Sequence, residues 1–197
     1  MKKIALAALL AAGFGLAHAD VITFEGVATS ASIPAGYGGV DWSNFYTLSA
    51  TPAYYLHSGY IHAAESGTYV AYNSGGSAAS ISATSTSGFD LMDGYFTAAW
   101  NNGLSVTAAA TFENGTHATK TFVLTTQSAT DEFFDWRSLA SVRFTSTGGT
   151  PQAGFSGSGT HFAVDNLDVT PVPEPTNVAL LLAGVGLLGV VARRRSI

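Results

Sequence analysis

Residues 103–113 read Gly103-Leu104-Ser105-Val106-Thr107-Ala108-Ala109-Ala110-Thr111-Phe112-Glu113. Leu104, Val106, Ala108, Ala110 and Phe112 share one parity; Ser105, Thr107, Thr111 and Glu113 share the other. Successive side chains of a strand point to opposite faces, so this period of two predicts a strand with one face in a core and one in water. Half-buried alternation of this kind belongs to antiparallel sheets. Asn114-Gly115 follows at once, a pair suited to the positive φ angles of a tight hairpin. Residues 119–125 then return with Phe122 and Leu124 inward. Asn114-Gly115-Thr116 is also a glycosylation sequon, but the turn is the simpler reading of it.

The same logic extends outward. Residues 21–26 predict a strand with Ile22 and Phe24 inward. Residues 53–63 and 68–73 predict a hairpin about Glu65-Ser66-Gly67. Residues 89–100 are apolar with a break at Asp93-Gly94, and residues 139–145 carry Val142 and Phe144 inward. Residues 74–87 are low-complexity Gly, Ser, Ala and Thr, read either as a flexible connection or as a weak strand about Ile81. Residues 161–170 close the run. No window carries a helical period. About eight to ten short strands with glycine-rich turns predict an all-β domain, an antiparallel β-sandwich of jelly-roll-like arrangement, over residues 20–171.

Composition removes several functions. The 197 residues include no cysteine, so disulfides, thiol catalysis and zinc–thiolate sites are excluded. Between residues 20 and 174 there are three basic residues, Lys120, Arg137 and Arg143, against thirteen acids, a formal −10. Phosphate binding needs clustered Lys and Arg, so nucleic acid is not expected as a partner. Residues 148–159 are glycine-rich but lack the lysine of a phosphate-binding loop.

The remaining basic residues mark the ends. Lys2 and Lys3, an apolar run over residues 4–16, and Ala17-His18-Ala19 have the order of a signal peptide, residues 1–19, with the exported chain starting at Asp20. At the other end come Val172-Pro173-Glu174-Pro175, an apolar run over residues 178–192, and Arg193-Arg194-Arg195. The two prolines make a stiff, extended spacer. As a helix the run would reach about 22 Å, against ~30 Å of hydrocarbon. The arginines directly after it favour a membrane helix, about residues 177–192, held by charge on the cytoplasmic side.

A Pro-Glu-Pro, a short apolar helix and an arginine cluster, in that order, resemble the PEP-CTERM sorting signal of exported proteins from Gram-negative bacteria. The resemblance covers residues 172–197. It implies an exosortase-type processing enzyme as partner. It also implies anchoring in the inner membrane before processing and then a place at the cell surface or outside the cell, in an exopolysaccharide or biofilm matrix. It concerns routing alone.

A second resemblance concerns the body. Thr23-Phe24-Glu25-Gly26 and Phe162-Ala163-Val164-Asp165-Asn166-Leu167 resemble the paired first and last strands of carbohydrate-binding-module jelly rolls. That resemblance implies a structural calcium held by oxygens of Glu25, Asp165 and nearby carbonyls, which suits the hard Ca²⁺ ion. The residues themselves show a slip of parity: Phe162 and Val164 lie on one face, Leu167 and Val169 on the other. One extra residue at Asp165-Asn166 would repair this as a β-bulge.

Other candidates for chemistry are weaker. His57, His62 and Glu65 have opposite parities on a strand and do not converge on a metal. Asp131, Glu132 and Asp135 could include a glycosidase pair, but acid clusters of this kind read first as solvated turns. There is no Gly-x-Ser-x-Gly elbow for an esterase. Trp42, Trp100 and Trp136 with Tyr54, Tyr55 and Tyr60 could stack on sugar rings. Of these, Trp100 is expected in the core and Trp42 exposed, which makes Trp42 the candidate ligand residue. The expectation is an exported, non-enzymatic surface or matrix protein; the alternative is a module binding exopolysaccharide, and a glycosidase or esterase has the least support.

Overall fold

The computed structural model describes residues 20–172 and residue 184. The expected signal peptide with Ala17 and Ala19, the membrane helix, and the sorting residues Pro173, Glu174, Pro175 and Arg193–Arg195 lie outside the described residues. Among the described residues the strands are β1 (Asp20–Ile22), β2 (Val40–Ser43), β3 (Phe45–Ser49), β4 (Tyr69–Asn73), β5 (Ala79–Ala83), β6 (Phe89–Leu91), β7 (Tyr95–Ala98), β8 (Asn101–Phe112), β9 (His117–Leu124), β10 (Thr130–Asp131), β11 (Trp136–Pro151), β12 (Phe162–Asp165) and β13 (Leu167–Pro171).

They form two antiparallel sheets. In the larger, β9 pairs β8 and β8 pairs β11. The other edge of the long β11 is shared end to end by β6 and β5; β6 leads on to β13 and β1, and β5 to β2. The smaller sheet has the order β10-β7-β12-β4-β3. The predicted strand at residues 103–113 is β8, and its apolar parity, Leu104, Val106, Ala108 and Ala110, is buried. Asn114-Gly115 makes the turn to β9: the Gly115 N–H donates to the Phe112 carbonyl at 2.9 Å, with Gly115 at φ 81°.

Between the sheets lies a cluster of phenylalanines. Phe144 of β11 packs against Phe45, Phe96 and Phe162 of the smaller sheet, with ring centroids 6.1, 5.7 and 6.1 Å away. All four are essentially inaccessible to solvent. Burying each such ring stabilises the fold by roughly 1.5–3 kcal/mol, and this layer takes the place of the missing disulfides.

The chain changes sheet at single residues. Asn44, φ 57°, separates β2 in the larger sheet from β3 in the smaller; Asn166, φ 46°, separates β12 in the smaller from β13 in the larger. Asparagine tolerates the left-handed region because its short amide bonds locally. The Asn44 Nδ2 donates to the Ser74 and Ala78 carbonyls at 3.0 and 3.1 Å. This corrects the bulge expected at Asp165-Asn166. The slip of parity is real, but it is a corner: the two halves of residues 161–170 belong to different sheets and bury opposite parities for that reason. The break expected at Asp93-Gly94 is another such crossing, from β6 to β7.

Two further expectations change, and one left open is decided for a strand about Ile81. Residues 53–63 are helical turns, Pro52–Tyr55 and Gly59–His62, and make no hairpin with β4. Proline is accommodated in the first turn of a helix, where its missing N–H is not needed. The real partner of β4 is β3, with Tyr46 opposite Tyr72. The first strand ends at Ile22, because Phe24, although buried as expected, sits at φ 59° and turns the chain. The low-complexity stretch contains β5, with Ile81 fully buried.

Candidate functional site

Both carboxylates singled out for calcium act on one loop. Glu25 follows β1, and its Oε1 accepts from the backbone N–H groups of Thr68 and Tyr69 at 2.6 and 2.8 Å. Asp165 ends β12, and its Oδ2 accepts from those of Glu65 and Ser66 at 2.8 and 2.9 Å. The loop over residues 65–69 is thereby tied to both chain ends. Gly67 lies between the two anchors at φ 53°, where a Cβ would stand 2.2 Å from the Glu25 Oε1. First and last strands are paired, as the resemblance implied, with Ile22 opposite Leu167.

Asp165 is fully buried, and its second oxygen, Oδ1, has no hydrogen-bond partner. An unsatisfied buried acceptor is costly. Burial pushes the Asp165 carboxyl above the ordinary carboxylate range. The N–H groups of Ser66, Asn166 and Glu65 oppose that shift, and the charge of Glu25 adds to it. An orphaned buried oxygen on a carboxylate that also feels the charge of Glu25 is what a hard cation, or a proton, would relieve, and in that respect the residues fit calcium. Among the described residues no three His, Cys, Asp or Glu side chains gather as a metal group. Carbonyls and water would therefore complete a shell of about six to eight oxygens.

The other acids have partners of their own. Glu132 pairs with Lys120 at 2.7 Å, and Asp135 with Arg137 at 3.1 Å. Burial raises the Asp93 and Asp131 carboxyls first; the charge of Asp131 adds to the shift of Asp93, while Glu132 adds to that of Asp131 and Lys120 opposes it. His57 lies between the two helical turns and His62 ends the second, so neither is on a strand. Trp42 is partly buried: its ring edges onto Phe24 and Phe45 at 5.6 and 5.4 Å, and its indole N–H donates to the Tyr37 carbonyl at 2.8 Å. It braces the core and offers no free platform, which corrects its expected exposure.

The outer face of the smaller sheet carries a different aromatic group. Leu48, Val70 and Ala163 point away from the phenylalanine layer, and the helical turns of residues 52–62 lie over them as a second, smaller core with Tyr60, Ala63 and Ala99. The Gly59 N–H donates to the Ala99 carbonyl at 2.7 Å, and a Cβ on Gly59 would fall 2.0 Å from the Ala98 oxygen. Only glycine lets the turns sit this close. Tyr60, buried beneath them, contacts Tyr55, Trp100 and Tyr72 at centroid distances of 5.1, 5.5 and 5.8 Å, and Tyr72 neighbours Tyr46 at 6.3 Å. Tyr46, Tyr55 and Tyr72 stay partly exposed. Burial raises the Tyr60 and Tyr72 hydroxyls first. Tyr72 and Tyr55 then act on Tyr60, and Tyr55 and Tyr46 on Tyr72, so the phenols crowd one another. Sequence reasoning had Tyr55 and Tyr60. It missed Tyr46 and Tyr72, whose signal was the alternation of residues 45–49 and 69–73.

The last strand runs straight into the spacer, and residues 171–195 match the PEP-CTERM protein-sorting motif. The chain carries a PEP-CTERM sorting signal. The match falls on the segment expected from Val172, the Pro-Glu-Pro and the arginines. No curated protein matches the chain. Among solved structures the chain is similar to TmCBM61 in complex with β-1,4-galactotriose, at 9% identity and a TM-score of 0.41 over 74% of this chain and 100% of that one. It is also similar to the agarase AgWH50C, at 9% identity and a TM-score of 0.32 over 72% of this chain, and it spans 23% of that enzyme.

Proposed function

We propose that this is an exported, non-enzymatic protein of the cell surface or extracellular matrix, delivered by its PEP-CTERM signal. The match at residues 171–195, directly after β13, carries the reading. In this reading residues 1–19 direct export and are removed after Ala19, so that the chain starts at Asp20, where β1 begins. The helix at about residues 177–192 then holds the protein in the inner membrane, with Arg193–Arg195 inside, until an exosortase-type enzyme processes the tail. The ion pairs that hold Glu132 to Lys120 and Asp135 to Arg137 support a body without catalysis, and the passage of successive strands between sheets supports a jelly-roll-like arrangement. Replacing Arg193, Arg194 and Arg195 together by Ala tests the routing. Membrane retention and processing should fall, and unchanged fractionation of the triple variant would remove the signal's role.

A second reading, a module for exopolysaccharide, is favoured by one observation: the tyrosine group on the outer face of the smaller sheet. A structural calcium belongs to either reading. Glu25 and Asp165 would hold it, and its charge would neutralise the orphaned Asp165 Oδ1 while fixing the loop of residues 65–69 to both chain ends.

A further inference from the structure

We infer that the outer face of the smaller sheet, around Tyr46, Tyr72 and Tyr55, is a binding site for a neutral polysaccharide. The inference rests on the carbohydrate-binding reading and gives it a place and a ligand class. A sugar ring has an apolar C–H face and a polar rim. It matches side chains that present an aromatic body with a hydroxyl tip, and tyrosine is such a side chain. Here three partly exposed tyrosines surround the buried Tyr60, on which they pack at 5.1–5.8 Å or, for Tyr46, through Tyr72 at 6.3 Å. Packing of this kind holds the rings in place before any ligand arrives, which lowers the ordering cost of binding. The helical turns cover Leu48, Val70 and Ala163, and their Tyr60 packs on one side of Tyr72, while Tyr46, Tyr55 and Tyr72 stay partly exposed and Leu56 is 56% exposed. The patch is therefore amphipathic and partly open to solvent.

Charge selects the ligand. No acid or base belongs to the tyrosine group, and the body around it, residues 20–171, carries a formal −9 from twelve acids and three basic residues. A uronate or sulfated polymer would be repelled by that field, and the site offers no cation to hold it. A neutral glycan meets neither obstacle.

Full-length protein purified in detergent is run through native gels containing either a soluble neutral β-glucan or galactan, or anionic polygalacturonate. Wild type should be retarded by a neutral polymer and not by the anionic one. Tyr46→Ala/Tyr72→Ala should weaken that retardation roughly tenfold or more. Tyr46→Phe/Tyr72→Phe, which keeps the packing, should weaken it less. Phe133→Ala, at an exposed aromatic elsewhere, should leave it unchanged. Retardation by a neutral polymer that survives both tyrosine double variants overturns the site and leaves the carbohydrate reading intact. Stronger retardation by the anionic polymer overturns the ligand class. No retardation of wild type by any polymer overturns both.

Discussion

Asp165 has four bonding opportunities and uses two, both on the same oxygen. Its raised carboxyl is shared, in direction, by Asp93, Asp131 and Asp168. In each, burial is the first cause; Asp131 then acts on Asp93, and Asp93 on Asp168. An acid whose folded value lies above its unfolded one binds protons more tightly when folded. Its contribution to stability is complete below the unfolded value and is lost as pH rises through the folded one. With chelator present, the melting temperature should therefore rise as the pH falls from neutral toward the ordinary carboxylate range, the reverse of ordinary acid sensitivity. Asp165→Asn should flatten much of that trend, because it removes the most deeply buried of the four charges. A melting curve that falls over this range would contradict the assignment. Calcium bound to the native state alone would stabilise it by about 2.7 kcal/mol at a hundredfold excess over Kd. Asp165→Asn should abolish that response, whereas Asp131→Ala should not. Identical melting with chelator and with calcium would leave Asp165 as a proton-linked anchor only.

At the scale of elements, local pattern was readable where one sheet face meets water. Strands β8 and β9 alternate cleanly because one side packs on the phenylalanine layer and the other is solvated. The strands at residues 40–49 escaped notice because glycine-rich residues 35–39 and the corner at Asn44 break the run into pieces of four and five residues. Residues 53–63 misled in the opposite sense. Tyrosines favour strands, but Pro52 and the clamp of Gly59 against Ala98 and Ala99 override that preference. The Asp165-Asn166 slip was visible, yet a bulge and a corner give the same parity and differ only in which sheet the second half joins. The candidate site followed the same division. Glu25 and Asp165 could be named from the sequence, but their common loop could not; Tyr46 lies on the missed strand β3, and Tyr72, on the expected strand at residues 68–73, gains Tyr46 as a neighbour only through the pairing of β4 with β3. Two substitutions test these elements. Gly59→Ala should lower stability by about 1–3 kcal/mol in thermal unfolding, because its methyl meets a backbone carbonyl that cannot move aside. Asn166→Val should cost about 1–3 kcal/mol through its left-handed backbone, and Asn166→Gly distinctly less. Equal losses for the two Asn166 variants would mean that the Ser66 hydroxyl bond to Asn166, and not the backbone, holds the corner.

In the whole molecule the sorting signal and the proposed export signal flank neighbouring strands. Asp20 lies opposite Val169, so the proposed first residue of the exported chain and the last strand before the sorting signal are partners in the larger sheet. Pro171 still pairs with Phe89, and the Val172 N–H donates to the Gly88 carbonyl at 3.0 Å. The pairing therefore continues to Val172, and Pro173 and Pro175 have no backbone N–H with which a further ladder could be made. A body closed in this way should fold without its tail, and a tail outside the sheet should be recognised without this body. A chain ending after Val172 should keep the melting temperature of the full-length protein to within experimental error, and it should fractionate as exported and soluble. Residues 173–197, fused behind an unrelated exported β-domain, should confer membrane retention and processing on it. Membrane retention of the chain ending at Val172 would place an anchoring surface in the sandwich itself. A fused tail that is neither retained nor processed would show that the signal reads more of the protein than residues 171–195.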